Sequence, residues 1–204
     1  MRLYYSKNSN PRLAVAVARH LNSPVEFVAA TPQHPAHKEA FKALNPNALV
    51  PVLEENGKTL WEADAIACRL SALAKSDFWR TGEAQPEMIR WISWATQHLN
   101  RAADPLYFFR VVWPTFSREA PPQAELEKGL KNFMQHAPVL DHHLATRKWL
   151  VDDHVSYADF RAATFLPFAE KAGIPLSNFP NMLRWHNQLM DLPAWRAPFD
   201  GLET

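Results

Sequence analysis

Cysteine occurs once in the 204 residues, at Cys68. No disulfide can close within the chain, and a reducing compartment suits such a composition best. Glycine is scarce as well, with five residues, and no G-x-G-x-x-G, P-loop or G-x-S-x-G pattern occurs, which removes the common nucleotide-binding and nucleophile-elbow signatures. Neither sign of charge dominates. The 22 Lys and Arg against 21 Asp and Glu leave a net charge of +1, and the basic residues form no run. Neither nucleic acid nor a membrane surface is therefore an expected partner. No apolar run is long enough to span a bilayer, and the opening MRLYYSKNSN lacks the apolar stretch of a secretory signal. A cytoplasmic protein is expected. The pairs His34/His37 and His142/His143 lack companions at metal-ligand spacing, so no metal site is expected.

What the chain has in quantity is proline (17), phenylalanine (12) and tryptophan (8). The aromatics supply a large core or an aromatic-lined pocket. The prolines punctuate the chain. RLYYS, residues 2 to 6, reads as a first strand. PRLAVAVARHLN then reads as a helix, with Pro11 at its first position and Asn10 as its cap. PVEFVAAT is β-like, and HPAHKEAFKAL is a loop running into a short helix. VPVLEE and KTLW flank Asn56-Gly57, a strong two-residue hairpin signal. EADAIACRLSALAK follows as a helix with an acidic first turn. Its Cys68 reads as a small buried residue. The order is β-α-β-α-β-β-α.

From about residue 86 the strand signal vanishes. EMIRWISWATQHLNRAADPLYFF carries Ile89, Ile92, Trp94, Ala95 and Leu99 at helical spacing. QAELEKGLKNFMQHAPVLDHHLATR carries Leu126, Leu130, Phe133, Met134, Val139 and Leu140, with Pro138 expected to kink or loosen it. SYADFRAATFLPFAEKAG and PNMLRWHNQLMDL read as two more helices. In VSYADF, Ser156 and Asp159 have the spacing of a capping box. The fold class is thus an α/β domain over residues 1–78 followed by an all-helical domain over residues 86–204.

Two features of NALVPVLEENGKTLWEADAIACRL invite a functional reading. Pro51 inside a strand removes a ladder hydrogen bond, so it belongs at an edge or bend. A cis Val50–Pro51 bond would leave the backbone of Val50 able to pair with an extended peptide; an ordinary trans proline opening a strand is the plainer alternative. Glu62 and Asp64 sit at a helix N-terminus, where N–H groups can hold a carboxylate while Glu62 meets an ammonium. Simple capping is the plainer alternative there.

Taken together these segments resemble the cytosolic glutathione transferase family over nearly the whole chain. NPNALVPVLEENGKTLWEADAI is similar to its glutathione-binding segment, WLVDDHVSYADF to its helical-domain signature, and FPNMLRWHNQLMDLPAWR to its final helix. The resemblance implies a thioredoxin-like first domain, a homodimer, and glutathione as co-substrate with no tightly bound cofactor. It implies a cis Pro51, backbone pairing of glutathione at Val50, and its γ-glutamyl end at Glu62 and residue 63. The family usually has serine at that last position; here it is Ala63, which keeps the N–H and loses the hydroxyl. One lost hydrogen bond to a charged group costs about 1.5–3 kcal/mol, roughly ten- to a hundredfold in affinity. His37, Lys38 and Lys42 stand where several classes place cations for the glycyl carboxylate, or form a solvated helix face. Thiol activation falls to Ser9 first, then Asn10, then Tyr5. Phe108, Arg110 and Trp113, in PLYFFRVVWPTF, stand where the family lines its acceptor pocket, and a core reading competes. The expected activity is conjugation of glutathione to an apolar electrophile. A glutathione-dependent isomerase or dehalogenase, or a non-catalytic ligand-binding relative, is the alternative.

Overall fold

The computed structural model describes residues 1–202. It divides into two compact units: Met1–Trp79 together with the segment from Leu192, and Arg80–Asp191. The sequence pattern predicts a helical domain that continues to the last residue, whereas the described segment from Leu192 groups with the first unit.

The first unit opens with strand β1 (Arg2–Tyr5), helix α1 (Ser9–His20), strand β2 (Glu26–Ala29) and helix α2 (Pro35–Lys42). Strand β3 (Val52–Glu55), strand β4 (Lys58–Trp61) and helix α3 (Ala63–Leu73) follow. The sheet order is β2-β1-β3-β4. β1 and β2 run parallel, while β3 is antiparallel to β1 and to β4. Asn56 (φ 51°) and Gly57 (φ 73°) both occupy the left-handed region that the β3–β4 turn requires. This part of the sequence reading, including element order, is what the structure shows.

Helix α1 begins two residues earlier than its proline suggests. Its cap is Asn8, not Asn10, and Pro11 sits within the first turn. Proline is tolerated there because the opening N–H groups of a helix have no intrahelical acceptor. Every residue from Pro11 to Ala18 is buried, so this helix is covered on all sides. The run of alanine and valine, small and apolar around the whole circumference, is what such burial demands. α1 packs on β1, on α3 and on a short helix whose range is given below. Cys68 is exposed on α3, contrary to the expectation of a buried thiol.

Among its described residues the second unit holds helices and no strand. Helix α4 (Gln85–Trp94) runs through a π-helical stretch (Ala95–Asn100) into α5 (Arg101–Tyr107) and a second π stretch (Phe108–Val112). Helix α6 spans Gln123–Leu144 and continues past Pro138. Then come α7 (Tyr157–Ala162), α8 (Ala169–Ala172) and α9 (Pro180–Met190). The helix expected over residues 156–173 is broken: α7 ends at Ala162, and a 3₁₀ turn at Leu166–Phe168 precedes α8. Pro167 cannot donate to Ala163, and the Thr164 hydroxyl donates to the Arg161 carbonyl at 2.7 Å, competing with the ladder. Ile89 (46%), Met134 (40%) and Val139 (50%) are exposed, although their spacing suggested core. The last helix, α10 (Pro193–Arg196), belongs to the first unit.

The Ser156–Asp159 capping box is present. Asp159 does more than cap. Its buried carboxylate accepts from the N–H of Ser156, the N–H of Leu150 and the indole of Trp185, each at 2.9 Å. One side chain thus ties the α7 start to the preceding loop and to α9.

Candidate functional site

A cleft of about 390 Å³ opens in the first unit at the N-terminus of α1, within the size range of small-molecule sites. Three loops line it. The β1–α1 loop and the first turn of α1 contribute Ser6, Asn8, Ser9, Asn10 and Pro11. The loop after β2 contributes Ala30, Thr31, Pro32, Gln33 and His34, and the loop before β3 contributes Leu49 and Val50. These loops converge because the parallel β1–β2 pair ends here: the N–H of Ala30 donates to the Tyr5 carbonyl at 2.8 Å, one step beyond the last strand pair.

The loop carrying Val50 is held in place by polar side chains. Buried Asn45 donates its amide N–H to the Leu49 carbonyl at 2.8 Å, and Gln33 donates to the Ala48 carbonyl at the same distance. Ala48 takes a left-handed φ of 50° within this bend. The Val50–Pro51 bond is cis. The paired strand starts at Val52, opposite Tyr4, so Val50 stands just outside the ladder at the cleft wall.

Electrostatically the cleft favours a negative group. A helix terminus of this kind carries partial positive charge and directs N–H groups outward. Sulfur at such a position is ionised more readily than in water. Beside it stands the Ser9 hydroxyl, a donor able to meet a thiolate. The Asn8 amide donates to Ser6 Oγ at 3.3 Å, fixing the wall next to it.

The structure brings Ser9, Asn10 and Val50 together in this lining, and not Tyr5. Tyr5 is 1% exposed and its ring stacks on Phe199 at 5.7 Å, because strand alternation turns it into the core. Tyr4 is committed elsewhere. Its hydroxyl donates to Glu54 at 2.7 Å, which, as the leading cause, holds the phenol above its ordinary pKa. His37 lies outside the lining but shares a hydrogen bond of 3.1 Å with Thr31, which is in it. Lys38 and Lys42 are exposed on α2, and Lys42 pairs with Glu39 at 2.7 Å. Glu62 is the exposed N-cap residue of α3 with φ 72°, an unusual conformation for a residue with a Cβ. Its side chain makes no cap hydrogen bond, so simple capping does not account for this carboxylate. Ala63 follows, buried, as the first residue of α3. Glu62, Ala63, Pro51 and the α2 cations are not part of the cleft lining.

The lining residues that the sequence does not single out are Asn8, Thr31, Gln33 and Leu49. A signal existed for some of them. TPQHP follows a strand with polar and helix-starting residues, the usual composition of a site loop.

In the second unit Phe108 and Trp113 belong to a partly exposed ring cluster with Phe109 and Phe116, joined by ring contacts of 5.1 to 6.2 Å. Arg110, expected with them in the acceptor pocket, has a structural task. It donates to the Ala172 carbonyl at 2.7 Å, at the end of α8. Gly173 is required beside it, with φ +63° and with Arg110 Nη1 where a Cβ would stand.

A small mixed sheet of thioredoxin-like order with a polar cleft at the α1 mouth, followed by a helical unit, is a two-domain architecture of the transferase type. Comparison with known proteins agrees. Residues 2–68 match the glutathione S-transferase N-terminal domain and residues 103–193 the C-terminal domain. Glutathione S-transferase GstB of Escherichia coli K12 is 30% identical over 196 residues, covering 94% of this chain and 93% of that protein. The chain belongs to the glutathione S-transferase family. Elongation factor 1-gamma of Carassius auratus is also 30% identical, across 93% of this chain but 40% of its own length. Glutathione transferase F7 of Populus trichocarpa has a TM-score of 0.89 at 21% identity, covering 100% of this chain and 99% of its own, a likeness of fold.

Proposed function

We propose that the protein conjugates the thiol of glutathione to an apolar electrophilic small molecule. The observation that carries this reading is the meeting of the α1 mouth, with Ser9 and Asn10, and the Val50 edge in one cleft. Glutathione pairs its cysteinyl backbone with Val50, beside the cis Pro51, and its sulfur lies at the helix mouth. The thiol loses its proton to solvent, and the Ser9 hydroxyl donates to the thiolate, with the Asn10 amide as the second candidate. The thiolate then attacks the electrophilic carbon, forming the C–S bond as the leaving group departs with its electron pair. Lowering the thiol pKa and holding both reactants close are the two contributions to rate.

The γ-glutamyl ammonium meets Glu62, whose carboxylate is not spent on capping, and the γ-glutamyl carboxylate meets the Ala63 N–H. The glycyl carboxylate meets His37 or Lys38. The ring cluster of Phe108 and Trp113 in the second unit suits an aromatic or planar acceptor. Arg110 holds the aromatic segment in place through Ala172. A homodimer is proposed from family membership, with the exposed Ile89, Met134 and Val139 on α4 and α6 as candidates for its interface. No helix among the described residues is long and apolar enough to cross a membrane, and a cytoplasmic site of action fits a chain with one exposed thiol.

The test is retention on immobilised glutathione followed by turnover of chlorodinitrobenzene. Retention with turnover supports conjugation. Retention without turnover with this and with haloalkane and maleyl acceptors favours a non-catalytic binding protein. Absence of both rejects a glutathione site.

A further inference from the structure

The walls of the cleft are gripped from behind. Residues Ser6 to Pro11 supply its α1 side, and the two residues bracketing that stretch, Tyr5 and Arg12, are both engaged by the segment Leu192–Leu202. The ring of Phe199 stacks on Tyr5 at 5.7 Å and 21°. Arg12, only 5% exposed, donates from Nη2 to the Trp195 carbonyl and lays its guanidinium over the Trp195 ring at 4.6 Å. Trp195 itself is wholly buried. Two turns further along α1, Arg19 donates to the Asp200 carbonyl. The backbone N–H of Arg12 also closes the first turn of α1 on the Asn8 carbonyl at 2.8 Å. The residue that reaches the segment is therefore the one that completes the turn presenting Ser9 and Asn10.

We propose that Leu192–Leu202 acts as a strap that sets the position of the α1 mouth, with Arg12 as the positioning residue through which it works. A buried guanidinium is costly unless its donors are met. A leucine at residue 12 would fill a core helix face without that cost, so packing alone does not call for arginine. The planar fork can satisfy a carbonyl and an aromatic face together, which fixes both distance and rotation between α1 and the strap. The consequence rests on the conjugation reading above. A sulfur ionised by a helix mouth and a single hydroxyl depends on sub-ångström placement of both, so loosening the strap should weaken thiol ionisation before it weakens glutathione binding, which uses other loops.

The experiment compares the full chain with Arg12→Met, Arg12→Lys and Phe199→Leu, each first checked for cooperative unfolding. Amide hydrogen exchange is followed at residues 8–13 and at the β3–β4 hairpin. The pKa of bound glutathione is read from thiolate absorbance, with kcat and KM alongside. Expected for Arg12→Met and Phe199→Leu is exchange at residues 8–13 at least about tenfold faster relative to the hairpin. With it go a bound-thiol pKa raised by about one unit and kcat reduced about tenfold at pH 6.5, at a glutathione KM within about twofold, with Arg12→Lys recovering part of the loss. Uniformly faster exchange with an unchanged thiol pKa in folded variants would overturn the strap and leave ordinary core packing. If the unmutated protein itself leaves the glutathione thiol at its solution pKa, the conjugation reading falls. The exchange pattern then decides the strap alone: local acceleration at residues 8–13 supports it, uniform acceleration rejects it.

Discussion

The two units place their chemistry by different means. In the first, the cleft is made from backbone: the mouth of α1, the end of the β1–β2 ladder, and Val50 just ahead of β3. Polar side chains brace loops there too, Asn45 and Gln33 behind Val50, but in the second unit they are what the loops converge on, single buried or half-buried groups with several partners each. Asp159 binds three N–H groups, Asp141 accepts from the N–H groups of Asn181 and Met182 at 2.8 and 2.9 Å, and buried Arg80 reaches Asp152 and the His154 carbonyl. A backbone-built site tolerates change in many side chains, because its donors come with the fold. A side-chain hub does not, since removing one group strands several buried partners at once. Single substitutions should therefore act mainly on stability in the second unit and mainly on turnover in the first.

The sharpest way to break that contrast is Asp159→Ala. It strands the N–H groups of Leu150 and Ser156 and the indole of Trp185 in the interior. A loss of about 3–5 kcal/mol is expected, read as a lower urea midpoint. A loss under about 1 kcal/mol would mean that the hub carries little and that the units are held alike. Ser9→Ala, by contrast, should leave the unfolding free energy from urea titration within about 0.5 kcal/mol and lower kcat about a hundredfold, with glutathione affinity changed far less. An unchanged kcat would remove Ser9 and pass the role to Asn10.

A smaller effect probes the γ-glutamyl end. Ala63→Ser restores a hydroxyl at the first position of α3, and glutathione should bind roughly tenfold tighter by calorimetry. Unaltered or weaker binding would place the γ-glutamyl group elsewhere and break its assignment to Glu62.

How much of this was legible beforehand follows the same division. The order of elements, the Asn56-Gly57 hairpin and the Ser156–Asp159 box are local patterns, and local patterns can be read from a sequence, whereas Ser9, Asn10 and Val50 became candidates for a glutathione site only through the family resemblance. The start of α1 was not legible, because Pro11 fits several first-turn positions and only the cap geometry selects Asn8. Burial of Tyr5, the helix-capping task of Arg110 and the return of Leu192–Leu202 to the first unit depend on partners far away in the chain: Phe199, Ala172 and Arg12. The exposure of Cys68, Ile89 and Val139 has the same origin. A period identifies an apolar stripe, but what covers the stripe is decided by tertiary packing.

The smallest expected effect uses histidines to compare the units under acid. Burial lowers the pKa of His20, which packs against Phe78 at 4.7 Å in the first unit. Burial likewise lowers His143 in the second, but there Nε2 faces the Leu150 carbonyl at 3.0 Å, an acceptor that favours the protonated ring and offsets part of the fall. A histidine whose folded pKa lies below its unfolded value near 6.5 binds more protons when unfolded. Its neutral form therefore supports the fold fully above about pH 6.5, and that support drains away as pH drops toward the folded pKa. The slope cannot exceed about 1.4 kcal/mol per pH unit for one proton. Burial raises the pKa of Asp104 and Asp159, which act in the opposite sense, so the comparison is between variants: across urea titrations from pH 7.5 to pH 5, His20→Gln should remove more acid sensitivity than His143→Gln does. The reverse order would show that the carbonyl at His143 does not offset its burial, and that the second unit is the more acid-sensitive of the two.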